Sequence, residues 1–401
     1  MKKIYYGKAV YDNKEIKAVL DVLKNSSLTL IDGPKVKKLE KTVSKLFGKK
    51  YGLMVNSGSS ANLLGLSSFN FKKGSEVITP NLTFSTTVAP IYQLGLIPHF
   101  IGVEKDKFIA DPTHIEKCIN KKTVAIMIPN LLGNIADWKR INQIAKKYKL
   151  KVIEDSADTI GYSINGNNTG KLSDIATNSF YASHIINGAG TGGIVCFNDF
   201  KYYERAKLLR GWGRSSAIFN ESENINKRFN LKISGIDYDS KYIFSDFGYN
   251  FLPSELSAAF ALEQIKKLKN NIKIRNKNFE YLKKFFGKHN KFFKLPKQNQ
   301  GVKTPWLAFP LVLLENKSFN RKKLQIFFEK NNIQTRTIFT GNILRQPVMK
   351  NRKYKKYQGC EVVADDVMKN GILLGCHQGM KNSELKYICN TFEKFLKYEN
   401  R

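Results

Sequence analysis

A histidine beside a glycine-rich turn is the strongest candidate for acid–base chemistry in this chain. His184 ends a segment that begins with Ser179 and is followed by the glycine-rich turn at residues 187–193. The pKa of a free imidazole, about 6.5, lies near physiological pH, so a histidine can both take up and release a proton. The alternative is a structural histidine held by hydrogen bonds. A base is favoured if this turn lies at the ligand-binding edge of a sheet.

A second segment, residues 56–62, has the composition of a phosphate-binding helix start. Gly58, Ser59 and Ser60 follow a predicted strand at 52–55 and open a predicted helix. Backbone N–H groups, hydroxyls and the helix dipole then converge on one point, which suits a phosphate group. Small polar residues also form ordinary helix caps, so this segment alone leaves both interpretations open.

A carboxylate and an aromatic ring are predicted at the same edge of the sheet. Asp155 ends the apolar run that begins at Val152, and Phe84 follows the strand predicted at 76–79. The carboxyl ends of parallel strands form the usual ligand-binding edge, and a carboxylate there can keep a pyridine nitrogen protonated so that the ring withdraws electrons. A capping role for Asp155 and a core-packing role for Phe84 are the alternatives.

An α/β fold would position these side chains. Short apolar runs alternate with amphipathic helical stretches, which is typical of a mostly parallel mixed sheet covered on both faces. The runs are Gly52–Val55, Glu76–Thr79, Val124–Ile128, Val152–Glu154 and Gly193–Phe197. Residues 254–286 predict one long helix or two, and a smaller α/β domain closed by a helix near 383–398 follows. We expect a large cofactor-binding domain over 1–252, and the linking helix with the small domain over 253–401.

The chain is strongly basic, because 67 Lys and Arg residues against 33 Asp and Glu residues give a formal net charge of +34. Such a charge raises nucleic acid or an anionic membrane as partners. The lysines, however, are scattered along the chain and form no run of five basic residues. We therefore expect a solvated basic surface that favours a small anionic substrate, with no nucleic-acid or membrane partner.

The sequence predicts neither a secretory signal nor a membrane span. Residues 1–8 have no apolar region after their basic residues, and no stretch approaches the ~20 apolar residues of a membrane helix. The five cysteines are odd in number and widely separated, without a CxxC pair. This spacing predicts buried free thiols in a reducing cytoplasm and no metal site.

Taken in order, these elements resemble the DegT/StrS type of sugar aminotransferases, which have the fold-type I, aspartate-aminotransferase-like architecture. The resemblance covers nearly the whole chain, through residues 29–40, 57–59, 154–155, 179–180, 247–250 and 337–347. It implies a pyridoxal 5′-phosphate (PLP) cofactor in a homodimer with shared active sites. The implied cofactor-binding residues are Gly58, Ser59, Ser60 and Ser179 at the phosphate, Asp155 at the pyridine nitrogen, Phe84 stacked on the ring, and Asn250 reaching the phosphate of the neighbouring subunit.

His184 lies where this family carries the lysine that forms a Schiff base with the cofactor. A histidine there is similar to the lysine-less branch, the NDP-4-keto-6-deoxyhexose 3-dehydratases. Asp158, a further implied cofactor-binding residue, supports that branch because aminotransferases usually have Gln or His at its position. The resemblance implies removal of the C3 hydroxyl of a nucleotide-linked sugar in deoxysugar and lipopolysaccharide biosynthesis. His184 would be the base, the cofactor would be held noncovalently as pyridoxamine 5′-phosphate (PMP), and L-glutamate would be the amino donor.

Three arginines, Arg214, Arg336 and Arg345, are candidates for binding the sugar diphosphate or the glutamate carboxylate, since a planar guanidinium suits both. Ordinary surface arginines are the alternative. Two departures from the family pattern stand nearby: the turn after His184 is one residue longer, and Thr191 replaces a usual glutamate.

One subgroup of the branch, which acts on CDP-sugars, uses a [2Fe-2S] cluster bound by cysteines near the segments of Asp155 and Arg214. In this chain those segments carry Ser156, Ala157, Ser215 and Ser216, so no iron–sulfur cluster is expected. The cluster-free type, such as the GDP-4-keto-6-deoxymannose 3-dehydratases, fits better. A sugar aminotransferase that has lost or relocated its lysine, and a non-catalytic binding protein on the same scaffold, are the alternatives.

Overall fold

The computed structural model describes residues 2–25, 29–164, 166–218, 224–315 and 318–399. The strands are β1 (Tyr51–Val55), β2 (Glu76–Pro80), β3 (Ile97–Ile101), β4 (Thr123–Pro129), β5 (Lys151–Asp155), β6 (Ser163–Ile164), β7 (Asn167–Asn168), β8 (Ile175–Ser179), β9 (Gly193–Phe197), β10 (Lys232–Ile233), β11 (Ile236–Asp237), β12 (Phe293–Lys294), β13 (Val302–Lys303), β14 (Phe309–Leu313), β15 (Lys355–Lys356) and β16 (Gly371–Leu374). The α-helices are α1 (Asn13–Asn25), α2 (Pro34–Leu46), α3 (Gly58–Ser68), α4 (Ser85–Gln93), α5 (Pro112–Cys118), α6 (Trp138–Lys147), α7 (Phe200–Arg210), α8 (Ile225–Phe229), α9 (Glu255–Gly287), α10 (Arg321–Lys330), α11 (Glu361–Asn370) and α12 (Asn382–Glu399).

A large sheet carries the N-terminal half of the described chain. Its strand order is β1-β9-β8-β5-β4-β2-β3-β15, and only β9 runs antiparallel to its neighbours. Strands β2, β8 and β9 are buried along their whole length, as expected for a sheet covered on both faces. Each of the five apolar runs forms a strand of this sheet, so the predicted mostly parallel architecture is confirmed.

The long helix α9 connects the large sheet to the C-terminal elements and begins where the sequence predicts. The hydroxyl of Ser254 caps it by accepting the backbone N–H of Leu256 at 3.2 Å. The buried carboxylate of Glu255 accepts three N–H groups, at 2.8–3.0 Å, from the start of α2. One carboxylate thus ties the beginning of α9 to a helix of the N-terminal part and satisfies donors that a helix start leaves open.

A smaller antiparallel sheet of order β12-β14-β16 lies in the C-terminal part and packs into a phenylalanine-rich core. The C-terminal part also contributes to the large sheet, because β15 pairs with β3 at its edge. In addition, β13 pairs with β6. The division at residues 252 and 253 therefore stays a prediction, since the two halves of the chain share these strand pairings.

The five cysteines are all buried and free. Within the described ranges, no helix is long and apolar enough to cross a membrane. In the same ranges, no cluster of three or more His, Cys, Asp or Glu side chains could hold a metal ion.

Candidate active site

A cavity of about 990 Å³ opens at the carboxyl ends of the parallel strands. Residues that follow β1, β2, β4, β5 and β8 build its wall, and the loop at 336–348 closes it from the C-terminal side. The fold thus brings segments that are far apart in sequence to one edge of the sheet, as predicted. The predicted site residues in the wall are Gly58, Ser59, Phe84, Asp155, Asp158, Ser179, His184 and Arg336.

The start of α3 and Ser179 form one corner of this cavity, which we call the phosphate corner. Ser57 is the N-cap of the helix, and its Oγ accepts the backbone N–H of Ser60 at 3.0 Å. Gly58 and Ser59 line the cavity together with Ser179 from the end of β8. Ser60 lies behind them, with its hydroxyl 2.9 Å from that of Ser57. A helix N-terminus flanked by hydroxyls suits a phosphate group. Ser57, which was not predicted, lines the cavity, whereas the predicted Ser60 does not.

Asp155 presents a buried and firmly held carboxylate to the cavity. Its Oδ2 accepts hydrogen bonds from the hydroxyl of Thr87 at 2.7 Å and from the amide of Asn62 at 2.8 Å. Thr177 orients Asn62 by donating its hydroxyl to the amide oxygen at 2.6 Å. Burial raises the pKa of Asp155, and these hydrogen bonds oppose that rise. A cationic N–H group of a ligand would neutralise this carboxylate in the wall.

Two aromatic rings stand at the cavity mouth. Phe84 is 49% exposed, and its ring meets that of Phe339 edge-on at a centroid distance of 5.9 Å. Phe339 has a φ of +46°, a strained backbone conformation for a bulky residue. The next residue, Thr340, holds the loop in place by donating its hydroxyl to the carbonyl of Thr83 at 2.6 Å. Because this loop is held in place, the exposed face of the Phe84 ring is available to stack on a planar ligand.

His184 faces the cavity next to Asp158. Its Nδ1 lies 3.3 Å from the carbonyl oxygen of Ser179, and its Nε2 lies 3.7 Å from Oδ1 of Asp158. Burial lowers the pKa of His184 to about 4 and raises that of Asp158 to about 7. At neutral pH the imidazole is the unprotonated base, which is the state needed to accept a proton.

Arg336 supplies the positive charge of the cavity. Its Nη1 donates to the carbonyl of Thr335 at 2.8 Å, and no other Arg or Lys side chain of the described residues lines the wall. Tyr6 also lines the cavity and was not predicted. Its backbone N–H donates to Gln334 Oε1 at 3.0 Å, and burial raises the pKa of its phenol. Tyr6 therefore offers a hydroxyl that stays protonated at physiological pH.

Besides Ser60, three predicted residues do not line the cavity. The guanidinium of Arg345 makes a two-point ion pair with Asp365, at 2.8 and 3.1 Å, and this pairing holds it outside the cavity. Arg214 lies over the ring of Trp212 at 4.5 Å, and Asn250 is exposed on the same surface. In the isolated chain, neither Arg214 nor Asn250 lines the cavity.

The turn after His184 is fastened to the phosphate corner. The hydroxyl of Thr191 donates to the backbone carbonyl of Asn56, the residue before the N-cap Ser57, at 2.5 Å. Gly190 has a φ of +97°, which favours glycine, and lines the cavity rim. The residue that departs from the family pattern, Thr191, thus ties the turn to the strand–helix connection.

Similar proteins include the lipopolysaccharide biosynthesis protein RfbH of Salmonella typhimurium, which is 34% identical over 89% of this chain and 84% of that protein. The GDP-4-keto-6-deoxy-D-mannose 3-dehydratase of Yersinia pseudotuberculosis is 31% identical over 96% of this chain and 97% of its own length. The GDP-perosamine synthase of Escherichia coli O157:H7 is 27% identical over 90% of each chain. Relatives thus include proteins named as dehydratases and a protein named as a synthase.

Solved structures of GDP-4-keto-6-deoxymannose-3-dehydratases match the fold over nearly the whole chain. The E. coli GDP-4-keto-6-deoxy-D-mannose-3-dehydratase, determined with bound hydrated PLP, superposes with a TM-score of 0.85 at 29% identity and covers 98% of this chain and 100% of that chain. Another structure of such a dehydratase contains a trapped PLP-glutamate geminal diamine, with a TM-score of 0.86 at 28% identity over 96% of this chain and 99% of that chain. The predicted fold-type I architecture is confirmed.

The cavity described above fits a pyridoxal phosphate group. The corner at Gly58 has no room for a side chain and leaves the helix start open to a phosphate, Asp155 can face a ring nitrogen, and Phe84 can cover a ring face. The family model for DegT/DnrJ/EryC1/StrS aminotransferases matches residues 10–393. The chain therefore belongs to the DegT/DnrJ/EryC1/StrS aminotransferase family.

Proposed function

We propose that this protein is a 3-dehydratase that removes the C3 hydroxyl of a nucleotide-linked 4-keto-6-deoxyhexose, with PLP and PMP as the two forms of its cofactor. The observation that carries the proposal is His184. It faces the cavity from the segment after β8, where the aminotransferases of this family would carry a lysine, and no lysine lines the cavity among the described residues. Transamination needs that amine to hold the cofactor and to move its proton, whereas histidine can only move the proton.

The cofactor supplies an electron sink when it is bound. The residues of the chain that would hold it are Ser57, Ser59 and Ser179 at its phosphate, Asp155 at the ring nitrogen and Phe84 at the face of the ring. Asn62 and Thr87 keep the carboxylate in place through the hydrogen bonds at 2.8 and 2.7 Å.

His184 is the proposed catalytic base. Donation of its Nδ1–H to the Ser179 carbonyl leaves Nε2 as the atom that takes up a proton in the cavity. The low pKa of about 4 keeps this nitrogen unprotonated at neutral pH. Arg336 binds the diphosphate of the substrate or the carboxylate of glutamate, the proposed amino donor, since its guanidinium is the cation of the wall.

We propose that the active protein is a homodimer in which each cavity is completed by the partner. A surface between residues 212 and 247 exposes large apolar side chains, a feature that marks interaction sites. Its most exposed members are Ile225, Phe229, Ile236, Tyr242, Phe244 and Phe247. Asn250 and Arg214 lie on this surface, so a second copy would bring them to the cavity from which they are excluded in a single chain.

The five free thiols suit a reducing compartment, which we propose is the cytoplasm.

The decisive experiment incubates the purified protein with PLP, L-glutamate and a panel of 4-keto-6-deoxyhexoses linked to GDP, CDP, UDP or dTDP. We expect one of them to yield a 3-deoxy-4-keto product and ammonia, as detected by mass spectrometry. An amino sugar as the main product would instead identify an aminotransferase, the alternative raised by the GDP-perosamine synthase relative. The control is His184→Asn, which keeps the cavity and removes the base.

A further inference from the structure

Two wall residues, His184 and Asp158, lie close enough for the charge on one to affect the protonation of the other. Nε2 of the imidazole lies 3.7 Å from Oδ1 of the carboxyl, and the two side chains are only 16% and 9% exposed. Two ionisable groups that are this close and this buried can titrate as a coupled pair, in which case the two protonation steps belong to both residues.

The imidazole has a fixed orientation. A carbonyl oxygen can only accept a hydrogen bond, so Nδ1 at 3.3 Å from the Ser179 carbonyl must carry a hydrogen. The backbone N–H of His184 also donates to the Tyr181 carbonyl at 3.0 Å, which closes a tight turn. The proton that comes and goes is therefore on Nε2, the atom that faces Asp158.

The carboxyl is fixed just as firmly. Its Oδ2 accepts the backbone N–H of Leu132 at 2.9 Å. Leu132 has a φ of +61°, so this N–H is aimed at Asp158 by an uncommon backbone conformation. Oδ1 remains as the oxygen that faces Nε2.

The charges around the pair favour one proton between the two residues. With none, the lone pair of Nε2 would face an anionic oxygen that is also repelled by the nearby carboxylate of Asp155. With two, a buried imidazolium would lie in the field of the buried Arg275 guanidinium, which disfavours it. The phenols of Tyr6 and Tyr162 also interact with Asp158, and burial raises the pKa of both, so both stay protonated at neutral pH.

We propose that Asp158 and His184 share a single proton and that Asp158 is a positioning residue, which sets the protonation state of the base. When the proton is on Asp158, His184 presents a free Nε2 to the cavity; when it moves to His184, the carboxylate stabilises the imidazolium. The rise of the Asp158 pKa to about 7 and the fall of the His184 pKa to about 4 both move this proton toward the carboxyl.

The test is a pH titration of the cofactor-free protein by NMR with ¹⁵N-labelled histidine. The chain has five histidines, and His184→Asn identifies the signals of residue 184. In the native protein we expect Nε2 of His184 to show two inflections, the second near the pH at which Asp158 titrates, about 7. In Asp158→Asn, whose amide oxygen can still accept the Leu132 N–H, only the lower inflection should remain. In Asp158→Glu, the second inflection should persist.

His377 is the internal control. It is buried, burial likewise lowers its pKa to about 4, and its two ring nitrogens face backbone groups of Tyr5 and Gly379 rather than a carboxyl. Its titration should be the same in all variants, which also shows that they are folded. An identical His184 titration in the native protein and in Asp158→Asn would overturn the proposal.

This inference deepens the proposed function. Only the expected effect of the pair on catalysis rests on that function. The titration needs neither cofactor nor substrate. A negative dehydration assay would therefore not contradict the proton-sharing proposal, and a negative titration would not contradict the proposed dehydration. If both hold, the pH profile of kcat should change in Asp158→Asn more than KM does, and Asp158→Glu should restore part of the profile.

Discussion

Gly58 and Ser179 are in direct backbone-to-side-chain contact: a Cβ atom on residue 58 would lie 2.5 Å from the Cβ of Ser179. This approach joins the start of α3 to the end of β8, two elements separated by more than a hundred residues. It also makes the phosphate corner compact, because the hydroxyl of Ser179 then lies beside the first turn of the helix. The glycine is required here by space rather than by backbone conformation.

Replacing Gly58 with alanine should therefore damage the phosphate corner. The added methyl group must push α3 away from β8, which we expect to cost about 1–3 kcal/mol of stability, as overpacking usually does. We expect PLP affinity to fall at least about tenfold, equivalent to ~1.4 kcal/mol, as measured by absorbance titration. The control is Gly287→Ala, where the new atom would meet only Leu295 at 3.7 Å. Unchanged affinity in Gly58→Ala would show that the phosphate lies elsewhere.

A lysine introduced at position 184 should convert a noncovalent cofactor site into a covalent one. Its amine would stand where Nε2 of His184 faces the cavity, and an amine forms a Schiff base with an aldehyde. After borohydride treatment with PLP, we expect the mass of His184→Lys to increase by one reduced cofactor and its dehydration to be lost. His184→Asn should lose dehydration without trapping. Trapping on any lysine of the native protein would count against the proposed mechanism.

Arg336 and Arg345 make a matched pair for testing substrate binding. Arg336 lines the cavity, whereas Arg345 is 60% exposed and paired with Asp365 outside it. Loss of a hydrogen-bonded cation from an anionic ligand is worth about 1.5–3 kcal/mol, so Arg336→Ala should raise KM for the nucleotide sugar or for glutamate roughly 10- to 100-fold. Steady-state kinetics with each substrate varied will identify which one it binds. Arg345→Ala should behave like the native enzyme, and an equal effect of both substitutions would contradict the assignment.

Some of this site could be predicted from the sequence because it follows from local order. Asp155 ends a buried strand and Ser59 begins a helix, and the ends of parallel strands meet at one edge whatever the rest of the chain does. The start of α9 is equally local, since Ser254 caps it through a residue two positions away.

Other parts depend on contacts that no local pattern contains. The rotation of α3 decides that Ser57 and Ser59 face the cavity while Ser60 is buried. Arg345 is withdrawn by Asp365, and Tyr6 enters the wall because its backbone is held by a side chain 328 residues away. Each of these outcomes depends on tertiary packing, which sets directions that spacing along the chain leaves open.

Asp158 should make the stability of the cofactor-free protein depend on pH in a definite direction. Burial raises its pKa from 3.8 to about 7, so between these values the folded protein holds a proton that the unfolded chain has released. Its contribution is therefore favourable at low pH and is lost as the pH rises toward 7. At pH 8, Asp158→Asn should be more stable than the native protein, with a free energy of unfolding that is higher by up to a few kcal/mol. This difference should shrink toward pH 5.

The control for this prediction is Asp239→Asn. The hydrogen bonds from Arg228 lower the pKa of Asp239, so its contribution has the opposite sign and the variant should be the less stable protein at pH 8. Thermal melts at both pH values, without PLP, are sufficient. A constant difference between Asp158→Asn and the native protein at pH 5 and pH 8 would show that the Asp158 carboxyl has an ordinary pKa.

The proposed dimer can be tested through Phe247, whose side chain is fully exposed in the isolated chain. Phe247→Glu places a charge on the apolar surface between 212 and 247, where burial against a second copy would be costly. We expect the variant to sediment as a monomer at micromolar concentration and to release PLP, because Asn250 of the same surface would no longer reach the partner's cavity. Val362→Glu, at a site 71% exposed on α11, is the matched control and should remain dimeric. If Phe247→Glu were monomeric and still bound PLP with native affinity, cofactor binding would not depend on the dimer, and Asn250 would not have its proposed role.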